Sequence, residues 1–280
     1  MFTKRSLVAL ASLFALCVSA GIAHAKEWKA ITIGVEGAFP PFNATTPNGD
    51  LVGYDLDVAK EVCKRAKLEC KIVAQSWDSQ IPSLVAGKFD AVLTMGPNPQ
   101  RRKVIDFTVP YAITPNTFLV SADGPLANLP HMGEHLSVDN KDGKQAVEDL
   151  KKALKGTLIG ASLSTSQLQF IQDNFGSEAT IRTYKSSEQA ELDLKGDRLD
   201  AQFDNVVFVM DRAKKSNGAL KASGPLLTGG IMATHVCLGI RKKEPELKAI
   251  LDKAIDSMRD DGTLKQMSGK WFGIDVSPKA

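Results

Sequence analysis

Four short segments of this 280-residue chain carry side chains suited to gripping a small charged molecule. The first, Glu36-Gly37-Ala38-Phe39-Pro40-Pro41-Phe42, sets a carboxylate beside two aromatic rings separated by prolines. Glu36 can oppose a cationic group while Phe39 and Phe42 offer apolar faces; a rigid proline turn with core aromatics is the competing reading. The second, Trp77-Asp78, holds an indole that either stacks on a ligand or closes a core. The third, Thr94-Met95-Gly96-Pro97-Asn98-Pro99-Gln100-Arg101-Arg102, joins a glycine that lets a ligand approach the backbone to an arginine that can clamp a carboxylate through two parallel hydrogen bonds. At least one of its adjacent arginines belongs to a solvated face. The fourth is Ser162-Leu163-Ser164-Thr165-Ser166-Gln167. Ser or Thr there caps the helix that follows, and the free N–H groups of the first turn can hold a carboxylate. Asp204-Asn205 closes the set with two side chains able to accept a hydrogen bond from an amine.

The elements around these segments follow an alternation of apolar runs and helix-period stretches, the pattern of an α/β protein. Strands are expected at 31–35, 71–74, 91–94, 117–120, 158–161, 180–184, 201–203 and 235–240, and helices at 54–65 and 81–86. The segments above then fall where strands end, the usual place for ligands in open α/β sheets. Leu247, Ile250, Leu251, Ala254, Ile255 and Met258 form one apolar stripe of a terminal helix. A polar stretch from Ser121 to Gly143 interrupts the alternation, and a Gly- and Pro-rich break runs from Gly224 to Gly230. Two lobes are therefore expected.

Lys4 and Arg5, the apolar run Leu7 to Val18, and Ala23-His24-Ala25 have the layout of a cleavable secretory signal, with the cut after Ala25. The run is shorter than the roughly 20 residues needed to span a bilayer. Cys17 follows the bulky Leu16, which argues against a lipid anchor. Removing 25 of 280 residues leaves 255, with 33 basic and 32 acidic side chains, a net charge of +1. That balance gives no electrostatic reason to expect nucleic acid or an anionic membrane as partner. Three cysteines remain. Cys63 and Cys70 either close a small loop at a helix end in an oxidising compartment or are unrelated thiols, and no His or further Cys beside them suggests a metal. Cys237 reads as a buried strand residue. No cofactor motif is present.

Several motifs run through nearly all of the mature chain: Gly53-Tyr54-Asp55-Leu56-Asp57; Trp77-Asp78 with Ile81-Pro82-Ser83-Leu84; Arg101 with Asp106-Phe107-Thr108; and Asp261-Gly262-Thr263 before Lys270-Trp271-Phe272. Their order resembles the polar amino-acid family (family 3) of periplasmic solute-binding proteins that serve ATP-driven importers. Glu36, the Cys63–Cys70 spacing, Trp77 and the extra segment 123–150 make it most similar there to the opine (octopine or nopaline) and lysine/arginine/ornithine/histidine receptors. The resemblance implies a type II two-lobed fold, each lobe a mixed sheet flanked by helices, with a two-strand hinge. Lobe 1 would comprise 26–117 plus 230–280 and lobe 2 would comprise 118–229. It implies a monomer in the periplasm that hands an amino acid or opine to an ABC transporter permease.

By the same resemblance Arg101 would bind the ligand α-carboxylate, aided by the amide and hydroxyl of Thr165, with Ser164 beside it. Glu36 would face a distal cation, Phe39 and Trp77 would sandwich the apolar stem, and Thr94 and Gly96 would receive the α-amine. Two positions depart from the family pattern. Gly96 stands where Ser is frequent, and Asn205 where Asp is frequent, which suits a ligand whose amine is substituted. Two other classes compete: an accessory to a sensory receptor, which needs the same cleft, and a dehydratase on the same scaffold. The second needs an acid or base in the cleft; Glu36 is the one candidate, since His131, His135 and His235 fall outside the matched segments.

Overall fold

The computed structural model describes residues 27–232 and 234–279. The expected signal segment and its cut after Ala25 lie outside the described residues. In chain order, β1 (Ala30–Val35) leads through a small ribbon of β2 (Ala38–Phe39), β3 (Asn43–Thr45) and β4 (Leu51–Val52) to α1 (Tyr54–Ala66) and β5 (Glu69–Ala74). A 3-10 turn (Trp77–Ser79) and α2 (Gln80–Val85) return the chain to β6 (Ala91–Met95), and α3 (Pro99–Val104), β7 (Ile105–Phe107) and β8 (Ala112–Ile113) follow. The chain then builds β9 (Asn116–Ser121), β10 (His135–Ser137), α4 (Lys141–Ala153), β11 (Leu158–Ser162), α5 (Ser166–Phe175), β12 (Thr180–Tyr184), α6 (Ser187–Lys195), β13 (Ala201–Asn205), α7 (Val206–Lys215) and β14 (Leu220–Thr228). It returns with β15 (His235–Arg241), α8 (Pro245–Asp260) and α9 (Thr263–Phe272).

These strands form two mixed sheets. The first has the order β5-β1-β6-β15-β7, with β8 also on β15, and the second has the order β10-β14-β9-β13-β11-β12. In the first, β1, β5 and β6 are parallel and β15 enters antiparallel. In the second, β11, β12 and β13 are parallel and β9 is antiparallel to both neighbours. The chain passes between sheets just before β9 and again between β14 and β15. At this crossing the Thr114 N–H donates to the Thr234 carbonyl at 2.8 Å.

Each sheet buries its own core. Ile33, Val58, Leu93, Leu238 and Ile255 pack in the first lobe, and the aromatics Phe118, Phe170, Phe175 and Phe203 fill the second. The apolar stripe of α8 lies where its period places it, with Leu247, Leu251, Ala254, Ile255 and Met258 buried. Helix α7 breaks the division. It springs from a second-sheet strand, yet Val206 and Val207 are buried in the core of the first lobe.

Two expectations about the linking segments are corrected. The polar stretch from Ser121 to Gly143 holds a strand, β10, and buries Leu126 and Leu129 against the second core. The break at Gly224 to Gly230 lies largely inside β14, which runs to Thr228 with a register shift between Ser223 and Leu227. Gly224 takes φ 83°, and Pro225 has no N–H to contribute to a ladder, so a strand that bulges reads in sequence as a strand that stops. Cys63 and Cys70 form a disulfide that ties the last turn of α1 to β5. Cys237 is a buried free thiol.

Candidate functional site

The cleft between the lobes is floored by strand ends. Glu36 follows β1, Gly96 follows β6, Thr165 lies just past β11, and Asp204 and Asn205 finish β13. All four strands point their carboxyl ends at one space, which Glu36, Phe39, Trp77, Thr94, Gly96, Arg101, Thr165 and Asn205 all line. Eight of the nine expected residues thus share one cleft with about 600 Å³ of empty space, part of it open to solvent. Ser164 does not line the cleft; its carbonyl accepts a hydrogen bond from Arg101 Nη2 at 2.8 Å.

Arg101 is positioned by α3. Asn98 caps that helix by accepting from the Arg101 N–H at 2.8 Å, and Pro99 fixes the first turn. The guanidinium reaches back, and its Nη1 donates to the Gly96 carbonyl at 2.8 Å. Its Cζ lies 5.1 Å from the centre of the Trp77 ring. Arg101 is buried, and among the described residues no carboxylate forms an ion pair with it. Burial alone pushes its pKa down to about 10. A buried cation held only by carbonyls and a ring is short of an anion.

Thr94 shows how much machinery lies beneath the cleft. Its φ is 57°, a left-handed conformation uncommon for a residue with a branched Cβ. Three neighbours hold it there. The Thr94 N–H donates to the Tyr111 hydroxyl at 2.9 Å, and its own hydroxyl donates to Asp55 Oδ2. Asn43 Nδ2 donates to both Asp55 Oδ2 and Thr94 Oγ1, while its Oδ1 accepts from the Gly37 N–H. Tyr111 donates to the other Asp55 oxygen at 2.7 Å. Asp55 is fully buried, and desolvation, opposed by those three donors, leaves its pKa at about 6. Gly53 allows this. A Cβ there would stand 2.2 Å from the Phe42 carbonyl, so only glycine lets α1 begin against the Phe42 loop with Asp55 pointing under Thr94.

Several side chains are committed otherwise than expected. The Thr165 hydroxyl donates to the Ser162 carbonyl and accepts from the Leu168 N–H, capping α5. What it leaves for an anion is the N–H of the first turn. The Asn205 amide is spent at both ends: Oδ1 accepts from the Val207 N–H, capping α7, and Nδ2 donates to Thr114 Oγ1 at the crossing between the lobes. Its neighbour Asp204 lines the cleft as well, its carboxylate accepting from the Ser187 hydroxyl, Gln202 Nε2 and the Asn205 N–H. Burial, opposed by those bonds, brings Asp204 to about 6. The Phe39 ring lies parallel to Phe42 at 5.4 Å and to Phe208 of α7 at 5.3 Å, so it stacks between lobes as well as lining the cleft.

Glu36 makes no hydrogen bond or ion pair with a described residue. Burial, then the charges of Asp204, Glu188 and Asp78, push its pKa up to about 8. His235, expected outside the cleft, lines it, because β15 begins at its rim. Ser187 and Gln167 line it too. Ser187 follows the cap of α6, and its Ser-Ser-Glu context looks like plain capping; only the packing of α6 on β13 shows its second use.

Comparison with known proteins agrees with this geometry. Residues 31–274 match the model of the bacterial extracellular solute-binding proteins, family 3. The chain is 38% identical to the octopine-binding periplasmic protein of Rhizobium meliloti, over 94% of this chain and 97% of that one. It is 32% identical to the L-arginine-binding protein of Pseudomonas aeruginosa, over 89% and 90% of the two chains. A periplasmic binding protein of the His/Glu/Gln/Arg/opine family from Silicibacter pomeroyi, solved with lysine, superposes with a TM-score of 0.71 at 29% identity, covering 89% of this chain and 100% of that one. The two mixed-sheet lobes are the type II arrangement of these structures. The chain belongs to family 3 of the bacterial extracellular solute-binding proteins.

Proposed function

We propose that the chain is the periplasmic receptor of an ABC importer and captures a basic amino acid or an opine by closing its lobes on it. One observation carries the ligand class: among the described residues, the same cleft holds a buried guanidinium that no carboxylate pairs with, Arg101, and a carboxylate that no cation pairs with, Glu36. A molecule with a carboxylate at one end and a guanidinium or ammonium at the other satisfies both. The octopine, arginine and lysine in the names of its relatives all have that layout.

In this reading Arg101 and the first-turn N–H groups of α5 receive the carboxylate, and Glu36 receives the cation. Phe39 and Trp77 flank the stem. The amine is received by Asp204 rather than Asn205, because the Asn205 amide already caps α7 and holds Thr114. The receptor acts as a monomer, binds without reaction and delivers its ligand to a membrane permease. The two lobes move about the crossing at Thr114 and Thr234.

A thermal-shift panel of the common amino acids with octopine and nopaline tests this. A ligand at about 100 times its dissociation constant adds about 2.7 kcal/mol of stability. Basic amino acids or opines are expected to stand out. A panel in which only neutral or acidic amino acids stabilise the protein overturns the reading.

A further inference from the structure

Resting on the reading that the cleft takes a cationic ligand, we propose that capture of the cation expels a proton from Glu36, so that the site exchanges a proton for its cargo. The geometry supplies the reason. Glu36 lines the same cleft as Asp204 at the end of β13, and the charges of Asp204, of Glu188 in the first turn of α6 and of Asp78 in the 3-10 turn all weigh against its ionisation. Among the described residues no cation pairs with Glu36. Arg101 donates to the carbonyls of Gly96 and Ser164, and Arg212 of α7 pairs with Asp211 and Glu191. His235 lines the rim without a hydrogen bond to a described residue.

Asp204 and Glu36 differ in one respect that decides which of them holds a proton. The Asp204 carboxylate accepts three hydrogen bonds, from Ser187, Gln202 and the Asn205 N–H. Glu36 accepts none. Hydrogen bonds to a carboxylate favour its charged form, whereas burial beside a like charge favours the neutral one. In the empty cleft Asp204 therefore keeps the negative charge and Glu36 the proton, as the rise of Glu36 to about 8 reflects. An arriving guanidinium or ammonium supplies the missing positive charge. The Glu36 O–H bond breaks, its proton passes to solvent, and the carboxylate pairs with the ligand, which keeps its own protons.

The test is calorimetric titration of the purified chain with L-arginine and with octopine at pH 7, each in phosphate and in Tris. These buffers differ in heat of ionisation, so the difference between them counts the protons released. Close to one proton per bound cation is expected from a group titrating near 8. L-citrulline, neutral at the side-chain end, releases none, and Glu36→Gln removes the release with either cation. Affinity for the cation rises roughly tenfold from pH 6 to pH 7 and levels off above pH 8. Cation binding with no proton released by the unmodified chain overturns the proposal and leaves the ligand class standing. No binding of either cation, or citrulline held as tightly as arginine, overturns the ligand class on which it rests.

Discussion

The guanidinium of Arg101 donates to the carbonyl of Ser164 across the cleft, 2.8 Å away and 63 residues further along the chain. A residue on the first lobe thus reads the position of the second. Ser164 stands at φ 60°, beside the cap of α5, so both the conformation of that turn and the closure of the lobes bear on one arginine.

Arg101→Ala removes the proposed carboxylate clamp. Losing one partner of a buried charged pair costs about 2–5 kcal/mol in binding, which is at least thirtyfold in affinity. Ligand-induced stabilisation in the thermal-shift assay is expected to vanish at ligand concentrations that saturate the unmodified protein. Arg101→Lys keeps the charge but loses the two-pronged geometry and is expected to fall between the two. An undiminished shift in Arg101→Ala removes this residue from the site.

Phe208→Ala probes the aromatic stack that joins the lobes. Phe208 is fully buried, and its ring lies 5.3 Å from that of Phe39. A buried Phe→Ala change costs about 3–5 kcal/mol. Because this contact spans two lobes, part of the loss appears as opening: the radius of gyration of the ligand-free protein in solution scattering increases, and ligand restores the compact value. An unchanged radius would mean that the stack only adds to core stability.

Replacing both Cys63 and Cys70 with Ala separates folding from binding. The disulfide spans a sequence separation of seven, and a loop that short stabilises by about 2 kcal/mol through the unfolded chain. The free energy of denaturant unfolding is expected to fall by that amount, with the midpoint moving to lower denaturant concentration. Ligand affinity is unchanged, since the bridge joins α1 to β5 away from the cleft-lining residues.

The buried acids predict how stability depends on pH. Asp55 and Asp204 at about 6, and Glu36 at about 8, all lie above their usual values of 3.8 and 4.5. A raised carboxyl pKa means the folded state binds protons more tightly than the unfolded one, so this stability is complete below the unfolded value and lost as pH rises through the folded one. The melting temperature of the ligand-free protein is expected to decline from pH 5 to pH 8.5. Asp55→Asn flattens the part near pH 6, and Glu36→Gln the part near pH 8. A melting temperature that rises across this range contradicts the assignment.

Much of the site was legible because its residues lie immediately after strands that apolar runs announce. Glu36, Gly96, Thr165 and Asp204-Asn205 all follow such runs, and strand direction alone gathers them. Roles were less legible than places. Asp204 and Asn205 both read as acceptors for an amine and both line the cleft, yet folding spends both ends of the Asn205 amide on α7 and Thr114. His235 gives no local sign of its place, since it begins an ordinary apolar strand. Asn43 and Tyr111 look like core residues, and their hold on Asp55 and Thr94 depends on partners 12 to 56 positions away.

The sequence by itself determined the alternating architecture and the strand ends that bear the candidate residues, because hydrophobic period and residue type are local properties of a chain. The tertiary structure alone decided that, among the described residues, no carboxylate pairs with Arg101 and no cation with Glu36, and that Phe39 stacks on a ring from the other lobe. Charge balance and ring contact are relations between segments far apart in the chain, and they exist only once the two lobes face each other.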